Sequence, residues 1–467
     1  MTEETDIIMK KLLVLVIISI FTFQIWAQNG SIQMLRYNDN FQYLQNDTTV
    51  KKGFEQLKVI SFGNKKATIS FGGELREQVQ HFENQNFGDV PPVFKAVSVT
   101  QVWHRAMLHA NLELGKKIRV FGQLNQTMRF FNPNPLNEID QNKLGLHQAF
   151  VEIKPTSNWI IRVGRQELSY GNNRMLTFRE GPNNRLAFDA AIVQWKNKTW
   201  RIDAIAASPV AQLPNIGDDV SLKDKIFGLY TTKTIVPKKL LLDVYGLFLN
   251  SERIKYNLVA GKENRTVLGT RIFSQNPFFN YELEANYQVG TFNTLNINAF
   301  GLSYDVKYRF EKAPKWSVGL AGNYISGDKT PTDNQLNTYN LLFSKPSFGL
   351  AAPIGASNII NTNPYVSWQP NKKWSLLAGI YFLSKASVKD GTYSPGMVQV
   401  RPSRKEVLFQ SDARKIGNQY AAEIAYFHNR HWAFFTDAAY FTPGAFATET
   451  GKGKAITYLS AKAAYKF

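Results

Sequence analysis

The chain has no cysteine. Disulfides, thiolate nucleophiles and the common thiolate zinc sites are excluded with it. Histidine is almost as scarce: the 6 present are scattered with no H-x-x-x-H pair, so no metal centre or other cofactor is expected. Nothing resembles a phosphate-cradling loop, because Gly451, Lys452, Gly453 and Lys454 lack the Walker spacing. After residue 27 no apolar run is long enough to cross a bilayer as a helix. Acidic residues are also short, 36 against 55 Lys and Arg, giving a formal charge of +19. A surplus of that size serves nucleic acid, anionic lipid or an anionic solute. No zinc finger, RNP aromatic set or basic helix is present, so nucleic acid is not the expected partner.

What is there begins with an export signal. From Met9, two lysines precede an apolar run over Leu12 to Trp26 that closes on Ala27, the pattern of a secretory leader cut after Ala27. The run is too short for a membrane anchor. The acidic residues ahead of Met9 suit a leader poorly, which points to Met9 as the start. Two lysines and three acids leave with the leader, so the surplus rises from +19 to +20. Residues 28–66 show no long period and read as a periplasmic or plug-like lead segment, with a helical tendency near 41–45.

From residue 67 to 467 the dominant period is two. Thr68, Ser70, Glu74, Arg76 and Gln78 alternate with Ile69, Phe71, Leu75 and Val79. Glu282, Glu284, Asn286 and Gln288 oppose Leu283, Ala285, Tyr287 and Val289 in the same way. Long strands with one polar and one apolar face suit a barrel in lipid, where closure is the only way to pair every strand. About eighteen such segments can be placed, with short turns alternating strictly with longer loops such as 327–358 and 385–417. The fold predicted is all-β: a transmembrane antiparallel up-and-down barrel of about 18 strands after a cleaved signal peptide. Trp159, Trp195, Trp200, Trp316, Trp368, Trp374 and Trp432 sit beside the short turns, as an interfacial girdle would. The chain ends on Phe467, an aromatic last residue of the kind barrel-assembly machinery reads, which points to the cell outer membrane of a Gram-negative envelope.

With polar faces turned inward, phase places the arginines. Arg162 and Gln166 face the lumen on the strand near 158–169; on the next, Leu186, Phe188, Ala190 and Ile192 point out, turning Arg185 and Asp189 inward. Arg201 and Asp203 follow, and Arg76, Arg105, Arg119, Arg129 and Arg309 join the lumen set. Arg174 and Arg179 lie on an outer loop that can fold inward. Arg165 falls on the lipid phase, so either a bulge after Gly164 turns it in or it meets lipopolysaccharide at the outer rim. A low-dielectric passage lined by guanidiniums focuses positive potential, and their planar fork suits carboxylates. The bland alternative is that each Arg simply pairs with a wall carboxylate such as Glu74, Glu152 or Glu284.

Arg162, Gly164, Arg165, Gln166, Tyr170, Gly171 and Arg174, followed by Asn184, Phe188 and Asp189, form a block that resembles the alginate export family of outer-membrane proteins. So does the run from Ser70 to Glu77 that opens the first strand. The resemblance implies an eighteen-stranded barrel with an arginine-rich, anion-selective constriction that passes a polyuronate. It assigns Arg162, Arg174 and Asp189 to constriction-type positions. The chain departs from the family pattern at Asn172 and over Glu180, Gly181 and Pro182, which leaves the polymer open.

The function expected is a monomeric, non-enzymatic channel for anionic solutes or anionic polysaccharide by passive diffusion. Its substrate path runs along Arg162, Arg165, Gln166, Arg174, Arg179, Arg185, Asp189, Arg201, Arg76 and Arg129. A surface-binding or adhesion barrel with a plugged pore is the alternative. An outer-membrane lipid hydrolase is a weaker one, because no G-x-S-x-G or paired-carboxylate arrangement supports it. Glu74 and Glu77, three apart on a strand, point to opposite faces.

Overall fold

The computed structural model describes residues 32–41, 44, 53–63, 66–137, 139–220, 223–256, 259–313, 315–344, 349–351, 354–401 and 411–467. The leader expected over residues 1–27 and most of the helical tendency at 41–45 lie outside these residues.

Eighteen long antiparallel strands close into one barrel. They are β1 (Ala67–Glu83), β2 (Val99–Leu114), β3 (Ile118–Phe130), β4 (Asn142–Ile153), β5 (Trp159–Gln166) and β6 (Phe188–Lys196). There follow β7 (Trp200–Ala211), β8 (Asp224–Val236), β9 (Leu240–Tyr256), β10 (Val259–Phe273), β11 (Phe279–Phe292) and β12 (Leu295–Arg309). The last six are β13 (Trp316–Ile325), β14 (Ile359–Trp368), β15 (Trp374–Ser384), β16 (Lys415–Phe427), β17 (Trp432–Pro443) and β18 (Ile456–Lys466). Each strand pairs with its chain neighbours, and the seam closes where β1 meets β18, from Glu74 opposite Lys466 to Glu83 opposite Thr457. Closure gives every strand a neighbour on both sides, which is what lipid demands of a sheet.

The outer face carries the belt that the alternation predicts. Leu75, Leu108, Val120, Val163, Leu229, Val244, Leu268, Leu302 and Leu320 are all exposed. Trp159 stands opposite Trp195 across β5 and β6, and Trp316 stacks on Trp368 with centroids 5.6 Å apart, all four at the short-turn end. Short connections do not alternate strictly with long ones, however. On the long-loop side only two residues separate β9 from β10, and two separate β11 from β12. At both places the strands themselves run on, with 17 residues in β9 and 15 in β10.

The inner face is polar only in part. Over β6 to β12 a large part of it is apolar: Phe188, Ile192, Ile205, Ile226, Leu247 and Val267 are buried in a single cluster. Two long loops fold into the barrel and fill this side. Residues 167–187 contribute Leu168, Tyr170, Met175 and Leu176 to the cluster, and residues 326–344 contribute Tyr339 and Leu341. The two loops pair with each other, Thr177 N donating to Phe343 O at 3.1 Å and Phe343 N to Met175 O at 2.9 Å.

This internal filling reverses the phase expected on β6. Phe188, Ala190 and Ile192 point inward, and Asp189 points outward, directly opposite Arg165. A rule that equates polar with inward fails where the inside is packed protein rather than water.

Residues 32–41 lie inside the barrel at its short-turn end. Arg36 donates to Gly73 O on β1 at 2.9 Å and to Phe467 O just past β18 at 2.8 Å, bridging the seam. Tyr37 sits edge-on to Phe121 and Phe150 of β3 and β4, and its hydroxyl donates to Glu167 O at 3.1 Å. Farther along, Phe54 stacks on Phe467 with centroids 4.4 Å apart, and Ile60–Phe62 pairs with the start of β1.

Candidate functional site

Among the described residues two large cavities lie inside the barrel, with the internal segments just described between them. The smaller, about 670 Å³, opens among the short turns after β2, β4 and β6. The larger, about 2180 Å³, runs toward the long loops. Leu35, Asn38 and Ser169 line both, so the N-terminal segment and the β5–β6 loop together form the septum between them. Short turns mark the periplasmic end of an outer-membrane barrel. The smaller cavity is therefore a periplasmic vestibule, and the larger an outer chamber.

Their charge differs in sign. Among the described residues the vestibule is lined by seven basic side chains, Lys116, Lys117, Arg119, Lys154, Arg162, Lys196 and Arg201, against two acidic ones, Glu152 and Asp203. The outer chamber is lined by five basic side chains and six acidic ones. Arg129, Arg174 and Arg179 are among the five, facing Asp140, Asp305, Glu423 and Asp437 among others.

Within the vestibule, β3, β4 and β5 hold Arg119, Glu152 and Arg162 in register across neighbouring strands. Arg162 donates from Nε at 2.8 Å and Nη2 at 2.6 Å to Glu152 Oε2, which also accepts from Arg119 Nη2 at 2.6 Å. Two cations thus share one carboxylate, leaving net positive charge at that point. Arg201 pairs with Asp203, Nε to Oδ1 at 3.1 Å, yet its side chain is half exposed to the cavity. Lys154 adds a third cation near Glu152, at 3.2 Å. Tyr37 and Tyr170 supply aromatic surface, with the Arg162 guanidinium 4.3 Å from the Tyr37 ring centre.

The septum absorbs most of the other arginines. Arg105 donates from Nε to Glu74 Oε1 at 2.9 Å and from Nη2 to Glu180 Oε1 at 2.7 Å. Arg185, fully buried, bonds Glu180 and lies 3.3 Å from Glu167 and 3.7 Å from Glu74. Arg76 Nη2 donates to Pro182 O and to Asn183 Oδ1, both at 3.2 Å. Burial works to raise the Glu180 carboxyl, but Arg105 and Arg185 outweigh it and hold it at about 2. Asn183 completes the anchorage, donating to Met128 O at 3.0 Å and Asp140 O at 2.8 Å. These groups bind the loop to the wall. Arg76, Arg185 and Gln166 line neither cavity.

Arg165 and Asp189 belong to neither set. Their side chains meet in a two-point contact, Nε to Oδ1 at 2.9 Å and Nη2 to Oδ2 at 3.0 Å, on the outer face near the long-loop rim. Arg165 Nη1 also donates at 3.3 Å to Leu146 O, on the stretch of β4 that β5 is too short to cover. The register of β5 against β4 and β6 runs without a shift through residue 165. Gly164 alone departs, at φ +127°, where an added Cβ would lie 2.3 Å from Ala149 O. Only glycine fits that backbone so close to the neighbouring strand.

The ten residues expected on one path therefore divide four ways. Arg162 and Arg201 face the vestibule and Arg129, Arg174 and Arg179 the outer chamber. Arg76, Arg185 and Gln166 are buried, and Arg165 and Asp189 are outside. Arg174 reaches across from its loop to Asn323 at 2.8 Å and Glu284 at 3.4 Å. The turn lysines Lys116, Lys117, Lys154 and Lys196 are the residues missed. Their recurrence at short turns beside inward arginines was the available signal. Among the described residues no group of three or more His, Asp and Glu is placed to hold a metal ion.

The barrel is similar to solved outer-membrane proteins at low sequence identity. OpdK of Pseudomonas aeruginosa superposes with a TM-score of 0.58 at 8% identity, over 85% of this chain and 98% of that one. OccAB4 of Acinetobacter baumannii gives 0.57 at 9%, over 87% and 100%. OccK2 (OpdF) of Pseudomonas aeruginosa, solved in complex with glucuronate, gives 0.56 at 9%, over 85% and 98%. No curated protein sequence matches the chain. The family model of alginate export matches residues 67–461, which is the barrel almost end to end. The protein is an outer-membrane β-barrel of the channel type, and the chain belongs to the alginate export family.

Proposed function

We propose that the protein admits anionic solutes, or a carboxylated polysaccharide such as a polyuronate, through its periplasmic vestibule. The basic surplus lining that cavity carries the reading. Seven cations around about 670 Å³ raise the local concentration of anions, and a cavity in this size range holds a ligand of a few rings. Arg162 and Arg201 present planar forks that match carboxylates, the turn lysines add unoriented charge, and Tyr37 and Tyr170 offer faces for sugar rings. A fold neighbour crystallised with glucuronate is consistent with this ligand class. Selectivity then resides at the periplasmic mouth rather than along the whole lumen.

Reconstitution in planar bilayers under a salt gradient tests the proposal. A reversal potential of the anion-selective sign is expected, moving toward zero in Arg162→Ala with Arg201→Ala; cation selectivity in the unaltered protein would overturn it. The septum favours a second reading, a barrel that binds at its surface and does not conduct. That reading requires no current under any condition, with the septum intact or removed.

A further inference from the structure

The N-terminal part of the septum is held in part by side chains that also line the vestibule. Arg119 donates from Nη1 to the Tyr37 carbonyl at 2.6 Å while its Nη2 serves Glu152. Arg162 lays its guanidinium against the Tyr37 ring, 4.3 Å from its centre. Both arginines face the cavity. One residue earlier, Arg36 ties the segment to Gly73 O and Phe467 O, away from the vestibule. One residue later, Asn38 looks into both chambers, as Leu35 does.

We propose that residues 32–41 form a strap that a carboxylated ligand releases. The inference rests on the anion-channel reading and specifies how that channel opens. A carboxylate entering the vestibule competes for Arg119 and Arg162. Glu152 is charged and keeps its share. The Tyr37 carbonyl and ring are neutral, and a guanidinium holds a dipole less strongly than a carboxylate, which brings a full opposite charge to the same donors. The strap is therefore the partner displaced, its Tyr37 hydroxyl giving up Glu167 O and its ring the edges of Phe121 and Phe150 as it leaves. Its Arg36 anchor is untouched, so Tyr37 and Asn38 swing from a fixed point, and the vestibule joins the outer chamber. The ligand favours the open form only through contacts it gains there, and the two guanidiniums freed from Tyr37 are those contacts. A neutral sugar gains none and leaves the strap in place.

The test uses the full chain, Tyr37→Ala, and a deletion of residues 28–44 behind the intact leader, each refolded and recorded in planar bilayers. The probes are a uronic-acid hexamer added to the periplasmic side and a neutral hexasaccharide. Unaltered protein is expected to conduct weakly and to rise about tenfold with the uronate, the equivalent of one hydrogen-bonded contact exchanged. It should not respond to the neutral sugar. Both variants should conduct at the raised level without ligand. Should the deletion fail to fold, Tyr37→Ala is joined by Asn38→Cys, which is unambiguous in a chain without cysteine. A charged thiol reagent should label it faster when the uronate is present. Variants that conduct like the unaltered protein, or labelling indifferent to uronate, overturn the strap. An anion-selective current indifferent to the strap overturns this proposal alone. A strap-dependent current without anion selectivity overturns the channel reading and with it the uronate trigger.

Discussion

The two cavities share one barrel wall and one septum, yet one is lined by seven basic and two acidic side chains and the other by five and six. The formal charge of +19 does not describe either of them. Arginines in the barrel body are consumed by carboxylates: Arg265 by Glu263 at 2.6 Å, and Arg271 by Asp243 and Glu282 at 2.8 and 2.7 Å. Unspent charge collects instead at the short turns, where Lys116, Lys117, Lys154 and Lys196 meet Arg119, Arg162 and Arg201. Potential in a pore follows the local surplus rather than the total, because an ion pair a few ångströms wide contributes little beyond a Debye length of about 8 to 10 Å.

The most drastic way to break the contrast is to remove the wall between the chambers. Arg185→Met leaves Glu180, Glu167 and Glu74 short of a buried partner. A loss of about 3 to 5 kcal/mol is expected, read as an earlier midpoint in denaturant unfolding from lipid vesicles, together with a raised conductance. Stability within experimental scatter of the parent would mean that the loop is held by its apolar cluster alone.

Reversing the vestibule comes next. Lys116→Glu, Lys117→Glu, Lys154→Glu and Lys196→Glu together change the lining from seven basic and two acidic to three and six. The ratio of anion to cation permeability should fall on the order of 10 to 100-fold, measured from reversal potentials at low salt. No shift would place the selective region elsewhere.

A milder lever acts on the outer loops alone. Asp328, in the loop after β13, has its carboxyl raised to about 6 by burial and by Asp390 beside it. The folded loop thus holds a proton more tightly than the unfolded chain does. Its stability is fullest below the ordinary value of 3.8 and is lost as pH rises through about 6. Hydrogen exchange across residues 326–344 should therefore be severalfold slower at pH 5 than at pH 7.5, and Asp328→Asn should flatten the difference.

The smallest effect is expected from the acids of the outer chamber. Glu423 and Asp437 face each other across β16 and β17 near Lys462. Glu423→Gln with Asp437→Asn should raise anion preference only about twofold, since a wide, wet cavity screens them. A larger change would show that both chambers set selectivity.

The barrel was legible in the sequence because closure in lipid forces every strand to repeat one pattern; Leu75 with Arg76 and Leu283 with Glu284 obey the same rule two hundred residues apart. The short-turn ends followed from it. The site was legible only where the inside is wet. Arg162 and Arg201 could be placed by phase, whereas Asp189 could not, because Phe188 and Ile192 turn inward into an apolar cluster with the infolded loops, and alternation does not show which face those loops cover. Glu180 meets Arg105 and Arg76 across 75 and 104 positions, separations at which periodicity carries no information. The 2-residue hairpin at Asn293 was likewise read as a longer loop, since strands that outrun the bilayer keep their alternation without keeping their environment.

Arg36 fixes an order of events. Its two acceptors are the Gly73 carbonyl at the beginning of the barrel and the Phe467 carbonyl at the end of the chain, 431 positions away. The second acceptor takes its place only when β18 has zipped onto β1. The bridge that Arg36 makes across the seam therefore forms only once the wall has closed, whereas Tyr37 can meet Phe121 and Phe150 of β3 and β4 before that. Contacts of such long range form late, after the intervening loop entropy has been overcome. Completion of the wall and the full seating of Arg36 are then a single step, registered by one guanidinium that bridges β1 and the residue after β18.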